Sequence, residues 1–193
     1  MLQPNPANAA GWTLAALAVQ LTAGVAADAA GRLFGFALLL VCWLMNGYAA
    51  LRLRCTAALA AAAAGAALSV LMMAGASGWA VSMASNLLFL LYYLPLQNAF
   101  DRHLAAADVS NGTRRLGRVW AYATLAQRGA SMLGFLPCFD GQDVLSLQRG
   151  SYTPLFTVQL ALEVIALLAA FVSYIWMIRY LCRARVLLRE GTV

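Results

Sequence analysis

The chain contains no lysine and a single histidine, His103. All thirteen basic residues are arginines, set against seven acids for a net charge of +6. Charged residues fill only 10% of 193 positions, whereas soluble domains carry roughly 25%. So few charges cannot coat a water-facing surface on a chain that is 63% hydrophobic. The solvent expected around it is lipid. One histidine excludes a bis-histidine haem and a histidine-rich metal centre. The four cysteines, Cys42, Cys55, Cys138 and Cys182, form no C-x-x-C pair, so zinc and dithiol-redox motifs are absent. No serine–histidine set, paired acids or phosphate loop is visible either. The expectation is a chain without catalytic residues, cofactor or metal. Its arginines are scattered over segment ends, which argues against nucleic-acid binding and for contact with lipid headgroups, anionic ones included.

What the chain does have is long apolar runs. A membrane helix needs roughly 20 mostly apolar residues. Six runs qualify: Trp12–Ala27, Leu33–Leu51, Cys55–Ala74, Gly78–Leu96, Val119–Pro137 and Thr153–Tyr180. The first is short and carries Gln20 and two threonines. Met1–Gly11 has no basic residue, so a cleaved secretory signal is not expected and the first run reads as a permanent helix. The predicted fold is an all-α, polytopic membrane bundle of six helices in one domain.

The arginines test this count. Six spans place both termini, loop two and loop four on one side. That side collects Arg52 and Arg54, then Arg102, Arg114, Arg115 and Arg118, then Arg179, Arg183, Arg185 and Arg189. The opposite side has only Arg32 and Arg149. The split follows the positive-inside rule and puts both termini in the cytoplasm, or in the matrix of an organelle. Arg52, Arg54, Arg114, Arg115, Arg118, Arg183 and Arg185 are the expected headgroup contacts. His103 is expected in a polar loop, and Cys182 is a candidate acylation site. Asn111-Gly112-Thr113 fits a glycosylation pattern but falls on the positive side, where it reads as a turn.

Small residues four apart, Ala61 and Gly65 in the third run and Ala130 and Gly134 in the fifth, let helix backbones approach closely. They serve either packing within the chain or contact with another subunit. Gln20, Asn46, Ser69, Ser82, Asn86, Gln127, Ser131, Gln159 and Ser173 lie inside the runs and are expected to hydrogen-bond between helices.

Two ionisable residues remain, Arg128 in the fifth run and Glu163 in the sixth. A charge at the bilayer centre costs about 2.5–3.5 kcal/mol even on insertion scales. Each lies about ten residues in from its own end of consecutive, antiparallel segments. At about 1.5 Å per residue the two can share a level and pair, as a structural clamp or an ion relay. The nine residues Gly24–Arg32 resemble the loop motif of major-facilitator transporters, but the arginine bias sets them on the side opposite to that family's. The placement of Arg128 and Glu163 is similar to the rotor-facing subunit of ATP synthases and implies a proton-translocating pair. Here Met132 stands where that family has an asparagine, and no glutamine follows Glu163 in the segment.

The functional expectation is a structural or assembly subunit of a larger membrane complex, in an energy-converting membrane such as the mitochondrial inner membrane. The alternative is a small-solute or ion-translocating protein using Arg128 and Glu163.

Overall fold

The structure, a computed structural model, describes residues 5–106, 111–134, 136 and 154–190. Six helices account for nearly all of them: α1 (Pro6–Ala30), α2 (Arg32–Arg52), α3 (Thr56–Met73), α4 (Trp79–Ala106), α5 (Asn111–Gly134) and α6 (Pro154–Glu190). No strand occurs among the described residues. Five helices, all but α5, are long and apolar enough to cross a membrane. The loop 138–152, with Cys138, Arg149 and Tyr152, lies outside the described residues, as does Pro137.

The first two connections are short and follow from local chemistry. Asn5 caps α1 by accepting a 2.8 Å hydrogen bond from the Asn8 amide, and Pro6 occupies the first turn, where its missing N–H costs nothing. A single residue, Gly31, turns the chain from α1 into α2 at φ +94°, a conformation that side chains disfavour. Leu53 to Cys55 turn α2 into α3, and the Cys55 amide bonds back to the Ala50 carbonyl at 3.0 Å.

Successive helices run antiparallel, as the paired residues show. Gly35 of α2 meets Ala27 of α1 at one end, and the Asn5 amide donates to the Arg52 carbonyl at the other, 3.1 Å away. Trp43 of α2 lies over Gly65 of α3. Against α5, α4 sets Asn86 on Arg128, Tyr93 on Trp120 and Gln97 beside Gly117. Against α6, α5 sets Gly117 on Tyr180 and Thr124 on Ser173. Gly11 of α1 faces Arg185 of α6 and closes the ring. The first turns of α1 and the last turns of α6 therefore share one end of the bundle, with Arg52, Arg114 and Arg185.

Three sequence expectations need correction. First, α4 runs ten residues past Leu96, through Pro95 and on to Ala106, so His103 sits in a helical turn and not in a loop. Its buried positions Leu96, Gln97, Phe100 and Leu104 keep the helical spacing that carries it on. Second, α5 starts at Asn111, well before Val119. Its buried stripe, Thr113, Gly117, Trp120, Thr124 and Gln127, recurs every three or four residues, and all of it but Trp120 is small or polar. Third, α5 is not among the apolar spans, because it carries Arg114, Arg115, Arg118 and Arg128 in addition to that stripe.

The core is a file of aromatic rings from α2, α4, α5 and α6. Trp43 stacks on Phe89 at 4.4 Å, Phe89 on Tyr93 at 5.9 Å, Tyr93 meets Trp120 edge-on at 5.8 Å, and Trp120 meets Tyr180 at 5.5 Å. Such pairs contribute about 0.5–1.5 kcal/mol each beyond the area they bury. The small face of α3, Ala58, Ala61, Ala62, Gly65 and Ser69, is buried within the chain. It makes room for Trp43.

Candidate functional site

Arg128 and Glu163 do not meet. No hydrogen bond or ion pair joins them among the described residues, and each has different company. The Arg128 guanidinium donates to Asn86 Oδ1 at 3.0 Å and lies 4.4 Å from the centre of the Phe89 ring. The Asn86 amide nitrogen in turn donates to the Ser82 carbonyl at 3.0 Å, which fixes the direction of its oxygen. A hydrogen bond to a charged group contributes about 1.5–3 kcal/mol, and a cation over a ring about 0.5–2 kcal/mol. They offset part of the cost of burying the guanidinium, whose Nε is buried and has no partner among the described residues. Arg128 is thus held by an amide and a ring, without a carboxylate.

Glu163 is exposed. Its nearest described partner is one turn back on the same helix: Gln159 donates to Glu163 Oε1 at 3.4 Å, a long bond. The Gln159 Oε1 atom is buried and has no partner among the described residues. Both side chains line a half-open cleft of about 590 Å³ between the start of α4, α5 and α6. Trp79, Ser82, Gln127 and Ser131 share its wall, and Arg128 is not part of it. Arg32 lies beyond Ser82, in a neighbouring depression.

The depths differ as well. Thr124 shares a 2.8 Å hydrogen bond with Ser173, and antiparallel pairing then sets Arg128 level with about Ala169. Glu163 lies six residues further along α6, about 9 Å away in height. The shared level expected from segment ends fails because it is the register between the helices that sets height. The facing fails too. Gln127, Ala130, Ser131 and Gly134 repeat at helical spacing and turn to the cleft, whereas Arg128, one residue on from Gln127, turns to α4.

At the arginine-rich end a second polar cluster holds α4, α5 and α6 together. Tyr180 donates to Asp101 Oδ1 at 2.7 Å, and Gln97 donates to Asp101 Oδ2 at 2.6 Å. Arg114 and Arg118 lie within electrostatic reach of the same carboxylate. Gly117 is required here, because a Cβ would stand 2.9 Å from the Tyr180 ring. The sequence reading missed Asp101, Gln97 and Tyr180. The one-turn spacing of Gln97 and Asp101 was visible, but the hydroxyl that joins them comes from another helix.

The other arginines predicted at the headgroups are divided. Arg54, Arg115, Arg118 and Arg183 are exposed, and Arg54 sits in the α2–α3 turn at φ +54°. Arg52, Arg114 and Arg185 are half-buried, each with a buried Nε lacking a partner among the described residues. Of the nine polar residues inside the runs, Gln20, Asn86 and Ser173 bond to other helices, through Tyr93, Arg128 and Thr124. Asn46 and Ser69 bond within their own helix. Cys42 is buried, whereas Cys182 is exposed beside Arg179 and Arg183. Among the described residues no group of acids, cysteines and histidine could hold a metal ion.

Comparison of the chain with protein-family models, curated proteins and solved structures finds no match. The class supported by the fold is an all-helical protein with five helices long and apolar enough to cross a membrane among the described residues.

Proposed function

We propose that the chain is an integral membrane subunit with a structural role in a larger membrane protein complex. One observation carries this reading: the first half of α6 is nearly bare, and its bare surface includes a carboxylate. In the most apolar 18-residue stretch of α6 only 6% of the residues are buried, against 28–35% in the corresponding stretches of the other four spans. Glu163 lies on it about 12 Å in from Leu155, among the exposed Leu160, Val164 and Ile165. A carboxylate facing lipid there costs a few kcal/mol, and the long Gln159 bond offsets little of it. A neighbouring protein that covers α6 removes the cost.

On this reading all six helices cross the membrane. The pairing of α5 with both α4 and α6 along its length supports its crossing. Both termini and the arginine-rich end face the cytoplasm or an organelle matrix, where the exposed arginines reach anionic headgroups. The tight α1–α2 and α2–α3 turns suit an accessory subunit of an energy-converting membrane, such as a mitochondrial inner membrane. A second reading, a small-solute or ion-translocating subunit, rests on the polar cleft that reaches Glu163 and Gln127. Arg128, held by Asn86 and Phe89, has no part in it.

The test is the native size of the chain. Membranes dissolved in a mild detergent and run on a native gel are expected to show the chain in one discrete assembly, well above the mass of a single copy. A chain that migrates alone, under conditions that keep other membrane complexes intact, would contradict the proposal.

A further inference from the structure

The cleft beside Glu163 says more about the neighbour, given the reading of the chain as a complex subunit. We infer that it seats a transmembrane helix of a different polypeptide, and that this helix presents a lysine or arginine to Glu163. Two independent features point there. The first is shape. The cleft is floored by Ala130 and Gly134 of α5 and by Ala166 and Ala170 of α6, each pair four residues apart. Small residues at this spacing let another backbone come close. Gly134 faces open space, since a Cβ there would have no neighbour within 4 Å.

The second feature is the bonding demand. The Glu163 carboxylate and the buried Gln159 Oε1 are acceptors, and no described residue donates to the latter. Two acceptors side by side, one of them charged, call for a cationic donor. Lipid tails bring none. Among the described residues of a second copy, Arg128 is turned to Asn86 and Phe89, Arg32 stands at the very start of α2, and the other arginines lie toward the arginine-rich end. The occupant is therefore another protein, with a cation about 12 Å inside the apolar layer on the arginine-poor side.

The experiment uses the full chain in its native membrane, with Leu167 at the cleft wall replaced by a photo-reactive amino acid. Irradiation is expected to give an adduct with a membrane-spanning peptide that contains lysine or arginine. Glu163→Gln keeps the shape and removes the charge, and should lower the adduct yield at least about tenfold, as loss of one member of a buried charge pair does. Ala166→Leu fills the floor and should lower it similarly while leaving the charge. Both variants should unfold in detergent at the wild-type temperature, which separates docking from folding. Glu163→Arg combined with a glutamate at the partner's cation should restore the adduct. An adduct with a second copy, with lipid alone or with a peptide lacking a cation overturns the assignment, as does undiminished yield in Glu163→Gln. A chain that runs alone on the native gel defeats the subunit reading itself. An intact assembly with lipid-only adducts defeats only the cleft assignment.

Discussion

Gly65→Leu is expected to destabilise the bundle by more than about 3 kcal/mol and to remove most folded protein from the membrane. The Trp43 indole lies directly over Gly65, closer to the position of a Cβ than real contacts allow. Trp43 is 2% exposed and has nowhere to go. It is stacked on Phe89 at 4.4 Å and abutted by the edge of Tyr92 at 6.0 Å. A bulky residue at 65 must therefore push α3 away from α2 or break the aromatic file at its head. Replacing glycine gains only about 1 kcal/mol of helix propensity, too little to offset this. Gly65→Ala should show the same effect in milder form, and Trp43→Phe should partly rescue it by clearing the space. The double variant should then be more stable than Gly65→Ala alone, a non-additivity that thermal unfolding in detergent can read.

Asn86→Leu is the second large effect, at about 3–5 kcal/mol. Asn86 Oδ1 is the one hydrogen-bond acceptor the Arg128 guanidinium has among the described residues, and its removal leaves a cation in a low-dielectric layer with only the Phe89 ring. Arg128→Met behaves differently. It removes the charge together with the cost of burying it, and leaves only an unpaired amide oxygen. Its cost should stay below about 2 kcal/mol. Combined with Asn86→Leu it should recover most of the lost stability. The same unfolding assay measures all three variants. This ordering separates a clamp from a relay: a relay arginine would lose function on replacement by methionine, whereas a clamp is replaceable in volume.

How far the sequence carried the reading depends on where each residue's partners come from. The five apolar helices were legible because lipid imposes the same demand on every residue of a span, and a run of such residues records it. The start of α5 before Val119 and the ends of α4 and α6 beyond Leu96 and Tyr180 were harder to see. They are written as a stripe of one residue in three or four, and on α5 the stripe is Thr113, Gly117, Trp120, Thr124 and Gln127. Mean hydropathy averages that stripe away, whereas helical spacing keeps it. The clustering of arginines at one end was also legible, because charge counted along the chain does not depend on how the helices face.

The pairing of Arg128 with Glu163 was not legible, for two physical reasons. Depth counted from each segment's own end ignores the register between helices, which the Thr124–Ser173 contact sets. Direction within a helix changes by about 100° per residue, so Arg128 and Gln127 serve different neighbours. The same limit hid the Asp101 cluster, whose third member, Tyr180, lies on α6. Opposite charges at similar depth gave an attractive pair on paper. The structure divides them, with one cation turned inward to hold α5 to α4 and one anion turned outward.

That division is the central claim, and a double-mutant cycle tests it most directly. The unfolding free energies of the wild type, Arg128→Met, Glu163→Gln and the double variant are measured on the purified chain in one detergent. Side chains that serve separate neighbours should give additive effects, with a coupling energy within about 0.5 kcal/mol of zero. A coupling of 1 kcal/mol or more would mean that Arg128 and Glu163 act on each other, and would contradict the account.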